Sequence, residues 1–141
     1  MLSKSRILST LGGFIFIFFG PWLFYTFIAK GFFENHRTLA GENVMRPDDQ
    51  MDLIILAVGC LILAYAFSTL YSKWARGAHS FSQGFEFGAW LGVLGGLAVG
   101  LIMYATSDMM SLTGHIVDGV WWIVWYGITG GIVSLIYRKT S

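Results

Sequence analysis

Four stretches of this chain are each long and apolar enough to cross a lipid bilayer, and they constrain its fold more than any motif does. They run over about 7–29, 52–72, 85–106 and 116–137. A hydrocarbon core of ~30 Å takes about 20 residues of helix. In lipid every backbone N–H and C=O must be paired within the protein, so a spanning segment is a helix or a strand of a closed barrel. The apolar runs here are continuous, where barrel strands alternate over about ten residues. That selects helices. Composition agrees: 55% of the 141 residues are hydrophobic and 12% are charged, against about 25% charged in an ordinary soluble domain. The expected fold is all-α, a polytopic membrane four-helix bundle forming one domain over residues 1–141.

Lys4 and Arg6 precede the first stretch, as in a signal peptide. The apolar run after them is too long for one, and no small-x-small cleavage site comes next. A true span is expected. Pro21 lies inside it and should kink the helix. The Phe-rich turns around Pro21 suggest a helix that faces lipid or packs loosely.

Charge sorts by side. Lys4, Arg6, Lys73, Arg76, Arg138 and Lys139 share one side, with Glu86 as its one acid. Lys30, Arg37 and Arg46 fall on the other, together with Glu34, Glu42, Asp48, Asp49, Asp52, Asp108 and Asp118. The positive-inside rule places both termini in the cytoplasm. The acidic outer side is either a solvated loop surface or a vestibule that concentrates cations. The basic residues sit in pairs at helix ends, where they anchor to headgroups, and nothing points to nucleic acid.

The third stretch reads GAWLGVLGGLAVG, with glycines at 88, 92, 95, 96 and 100. Four residues advance a helix by about 400°, so Gly88, Gly92, Gly96 and Gly100 form a slowly winding groove that Gly95 widens. Trp90, Leu94, Leu97 and Leu101 are expected on the opposite face. Lipid gives helices no hydrophobic reason to associate, and small residues that admit a close backbone contribute more there. The fourth stretch offers Gly127, Gly130 and Gly131, which predicts a close crossing of spans three and four. A seam between copies of the chain is the other reading of the same glycines. Short connections make spans two and three, and spans three and four, antiparallel neighbours. The long 30–51 connection leaves room for a short interfacial helix around Phe32 and Phe33. Cys60, the one cysteine, falls in mid-span as a small packing residue.

At offset 66, Asp52 matches Asp118, Ser68 matches Ser134, Tyr71 matches Tyr137 and Lys73 matches Lys139. Two duplicated hairpins give such a pattern. So does convergent anchoring of helix ends.

The polar chemistry clusters where spans three and four meet the outer side. Tyr104, Thr106, Asp108, His115 and Asp118 can approach one another there, and His115 and Asp118, three apart, share a helix face. A His with two carboxylates can hold a divalent metal or relay protons. In the structural reading, Asp118 serves the N-terminus of span four, Asp108 turns the hairpin and His115 is exposed. Trp121, Trp122 and Trp125 form a stripe with Asp118. They suit interfacial anchoring, a stacking wall for a lipid, quinone or pigment, or core packing. No hydrolase, kinase or Rossmann pattern is present, and no cofactor is indicated.

Three tracts, AKGFF after span one, GLAVGLIMYATSD ending span three and VDGVW opening span four, resemble a family of small bacterial four-helix membrane proteins whose domain has no known function. In that family a glycine-containing third helix ends in Tyr-Ala-Thr-x-Asp, matched by Tyr104, Ala105, Thr106 and Asp108. The fourth opens with Asp and an aromatic, matched by Asp118 and Trp121. Family members often carry an acid just before the tryptophan of helix one. This chain has Gly20-Pro21 before Trp22, which argues against a site shared by spans one and four.

The resemblance implies architecture and a bacterial inner-membrane location. For function, the expected class is a non-catalytic accessory or assembly subunit of a larger membrane complex. The alternative is an oligomeric ion or small-solute transporter or channel-like protein with an acidic outer mouth.

Overall fold

A computed structural model describes residues 3–141. Four helical stretches are long and apolar enough to cross a membrane: Lys4–Ile28, Leu53–Ala75, Phe81–Thr106 and Leu112–Thr140. Helix α1 (Lys4–Leu23) is capped by the Ser3 hydroxyl, which accepts from the Arg6 N–H, and it continues into a π turn over Phe24–Ile28. Helices α2 (Lys30–His36) and α3 (Leu39–Val44) lie in the first connection, and α2 is the short helix that the sequence predicts around Phe32 and Phe33. Helix α4 (Leu53–Ala75) is capped by Asp52. Helix α5 (Phe81–Gly92), a π turn over Val93–Ala98 and α6 (Val99–Thr106) make the third stretch. Helix α7 (Leu112–Thr140) makes the fourth.

Helix α7 starts earlier than residue 116 because Ser111 caps it, accepting from the Gly114 N–H at 3.2 Å. Asp118 therefore lies inside the helix and does not serve its N-terminus. Asp52 does cap α4, so the two aspartates that the offset of 66 pairs have different roles.

Pro21 does not break α1. It has no N–H to give the carbonyl four residues back, and the backbone resets just afterwards. The Phe24 N–H bonds the carbonyls of Gly20 and Pro21, and the Ala29 N–H reaches the Phe24 carbonyl at 2.8 Å.

Most of span one is open, as its Phe-rich sequence suggests, but one face of it is packed. Ser5, Ser9, Thr10, Gly13, Ile17 and Gly20 form a buried stripe at helical spacing, against α4 and α7. Small residues let the backbones close: a Cβ on Gly13 would lie 3.4 Å from Val133 and 3.8 Å from Ala64. Ser9 and Ser68 share a 2.6 Å hydrogen bond, and Ser68 meets the Tyr137 hydroxyl at 3.2 Å.

Helix α4 leans on α1 and touches span three mainly at one end. There Phe67, Tyr71 and Trp74 surround Phe87 with ring centroids at 5.3, 5.6 and 5.6 Å. Spans two and three are neighbours, as the short connection predicts, but their contact is limited because α7 occupies the glycine face of span three. The core runs through Phe67, Tyr71, Ala75, Phe87, Val133 and Tyr137, with α7 in contact with α1, α4 and α5.

The two ends of the described chain meet, since the Ser5 hydroxyl donates to the Thr140 carbonyl at 2.7 Å. We call this the terminal end; the distal end carries α2, α3 and the 107–111 turn. At the terminal end the His79 ring stacks on Tyr137, and its Nδ1 lies 3.2 Å from the Tyr71 hydroxyl. Burial lowers the His79 pKa below the ordinary 6.5. A base with a depressed folded pKa stabilises the fold above its unfolded pKa, and that contribution is lost as pH falls towards the folded value. The melting temperature should therefore drop on acidification below about pH 6.5. His79→Asn should flatten that part of the pH profile. An unchanged slope in the variant would rule His79 out as its source.

Candidate functional site

Helix α7 supplies His115 and Asp118 to the site, and glycines set how closely it lies against span three. Along span three the missing side chains at Gly88, Gly92 and Gly96 admit the α7 backbone. A Cβ on Gly88 would lie 3.0 Å from the Gly127 Cα, and one on Gly92 would lie 2.6 Å from the Trp122 carbonyl oxygen. One on Gly96 would meet the Trp122 side chain, and one on Gly100 would stand 3.4 Å from the His115 carbonyl. On α7, the Phe85 ring lies over Gly127 and the Phe81 ring over Gly131.

Gly84 and Gly130 face each other backbone to backbone. Gly84 extends the four-residue register one turn towards the N-terminus and could have been read from that register. Gly95 stands outside the seam, with only Tyr126 nearby at 4.0 Å. Leu97, expected on the far face, instead lies against Gly119. The π turn at Val93–Ala98 adds a residue to the ladder and rotates the rest of the span about its axis.

At the distal end of this seam the sequence placed five polar residues together. Asp118, half-buried, accepts a hydrogen bond from the Tyr25 hydroxyl on the π turn of span one. The Trp122 indole bears on both partners. His115 is 4% exposed, which corrects its expected exposure, and its Nε2 has no hydrogen-bond partner among the described residues. The edge of the Tyr104 ring faces His115 at 6.1 Å.

Thr106 and Asp108 do not join the site. The Thr106 hydroxyl bonds the Ile102 carbonyl of its own helix, and Asp108 is an exposed turn residue whose carbonyl accepts from Thr38 at 2.5 Å. Among the described residues no three His, Cys, Asp or Glu side chains gather as a metal would need. What remains is the Tyr25–Asp118 hydrogen bond, with the buried His115 one turn before Asp118 on α7 and the Tyr104 ring beside His115.

His115 is buried because the first connection folds over it. The Thr38 N–H bonds the Met109 carbonyl at 3.1 Å, the Ser111 N–H bonds the His36 carbonyl at 2.9 Å, and Arg37 bridges Met110. Gly41 lies against Met109, and a Cβ on Gly114 would be 3.2 Å from His36.

Interfacial anchoring does not describe the tryptophans. Trp125 is 8% exposed and stacks on Phe16 at 3.9 Å, and Trp121 stacks on Phe24 at 3.5 Å. Both pack against span one, while Trp122 pairs with Tyr126 beside the glycine seam. Core packing is the reading that fits them. Sequence reasoning missed Tyr25, which stands 93 residues from Asp118. It also discounted a site between spans one and four. That site exists through a tyrosine, not through an acid before Trp22. The chain matches no described family, no curated protein and no solved structure.

Proposed function

We propose that this chain is a multi-pass protein of the bacterial cytoplasmic membrane. In this reading it is a four-helix bundle with both termini inside, akin to the small four-helix membrane proteins it resembles. It acts as a non-catalytic accessory or assembly subunit of a larger membrane complex.

One observation carries the accessory role. None of residues 53–63, the distal half of α4, is buried, and α6 buries none of its residues either. The same α4 buries Ala64, Phe67, Ser68, Tyr71 and Ala75 in its other half. A distal face this open on two helices suits a membrane partner, because helices in lipid associate by packing. The charge sorting supports the orientation. Purification of the tagged full chain from its native host in mild detergent should bring down a protein in constant molar ratio. Recovery of the chain with no such companion would sink the accessory role.

A second reading, an oligomeric ion or small-solute transporter, is favoured by Asp118. An ionisable side chain within a span is a functional candidate. It predicts flux through proteoliposomes of the purified chain, abolished by Asp118→Asn. Absence of flux from the wild type decides for the accessory reading.

A further inference from the structure

We propose that the groove between α4 and span three binds one anionic phospholipid, with an acyl chain in the groove and the phosphate at Lys73 and Arg76. The inference goes beyond the accessory and transport readings and depends on neither.

The groove has a volume of about 310 Å³. Helix α4 contributes Leu63, Ala66 and Leu70, span three contributes Leu94 and Gly95, and α7 contributes Tyr126. It exists because the Phe87 ring, held by Phe67, Tyr71 and Trp74, keeps the two helices in touch at the terminal end only. Gly95 leaves its floor open, with nothing nearer than Tyr126 at 4.0 Å.

The occupant is set by length and charge. Residues 63, 66 and 70 make a stripe that continues at 73 and 74, one turn on. At 1.5 Å per residue, Leu63 lies about 15 Å along the axis from Lys73. That is half of a ~30 Å hydrocarbon core, the depth of one leaflet. At the top of the stripe stand Lys73 and Arg76, both exposed, with Trp74 43% exposed between them. Among the described residues neither cation is in an ion pair. Basic residues next to a span attract anionic lipid by about fivefold each. A second copy docked by two-fold symmetry would bring its own Lys73 and Arg76 towards these, like charge against like.

The test uses the full chain reconstituted in vesicles of equal phosphatidylglycerol and phosphatidylethanolamine, extracted in mild detergent and weighed intact by native mass spectrometry. The expected result is one retained phosphatidylglycerol per chain. Lys73→Gln with Arg76→Gln should reduce its preference over phosphatidylethanolamine about 30-fold. Gly95→Leu should fill the groove and abolish retention, while Asp118→Asn should leave it unchanged. If Gly95→Leu fails to fold by circular dichroism, the exposed Lys73 and Arg76 variants decide alone. Equal retention of the two lipids, retention untouched by the charge variants, or a lipid-free dimer overturns the proposal.

Discussion

Replacing Gly92 with isoleucine is expected to lower the melting temperature of the detergent-solubilised protein by about 10 °C. A Cβ at this position would be 2.6 Å from the Trp122 carbonyl oxygen and 2.7 Å from the Ile123 backbone nitrogen. These are backbone atoms of a continuous helix and cannot swing aside as the tip of a side chain can. Spans three and four must separate, and the contact that fixes α7 is lost along several turns. Gly95→Ala is the matched control. It adds the same first carbon three residues along, into open space, and exchanges glycine for a better helix former worth up to about 1 kcal/mol. Its melting temperature should stay level or rise slightly. A Gly92→Ile protein that melts with the wild type would show that the two helices do not meet there.

The second large effect is expected at Trp125. Truncation to alanine removes the ring that stacks on Phe16 at 3.9 Å and fills the space left by the absent Gly20 side chain. Large aromatic truncations in a packed core cost about 3–5 kcal/mol. In lipid the lost term is packing, without a hydrophobic contribution, which favours the lower part of that range. Unfolding followed by helicity in a denaturing-detergent titration measures it. Trp125→Phe should recover most of the loss. If alanine matched the wild type, span one would be held by its other contacts, Ser9 with Ser68 at one end and Phe24 and Tyr25 with α7 at the other.

The spans, the shared end of the two termini and the glycine register were legible because each rests on a local pattern: apolar length, charge at helix ends, spacing by four. What escaped depends on distant partners. Asp118 looked like a helix-capping acid because the true cap, Ser111, lies beyond the apolar run, in a polar turn that helix α7 incorporates. His115 looked exposed because its own neighbourhood is polar. Its burial comes from Thr38 and Gly41, some 75 residues away, closing over Met109. Leu97 changed faces through a π turn that the glycine pair around it permits but does not announce. Tyr25 had no signal in its own segment, since nothing near it distinguishes a lipid-facing phenol from one aimed at a carboxylate. Tyr104, His115 and Asp118, on spans three and four, were therefore readable, and Tyr25 on span one was not.

The central place of α7 also bears on how the chain is made. Its main partners, α1 and α5, precede it in the chain and are finished before Leu112 leaves the ribosome. The glycine face of the third span must wait in the insertion machinery or in lipid without the helix it fits, while the stripe of the first has only α4 against it. At 5–20 residues per second, the 29 residues of α7 end that wait within a few seconds. A nascent chain stalled before Leu112 would hold α4 against α1, with span three joined to them only through the rings around Phe87. Such an intermediate lacks the helix that joins span three to span one, and assembly of this fold waits on its fourth span.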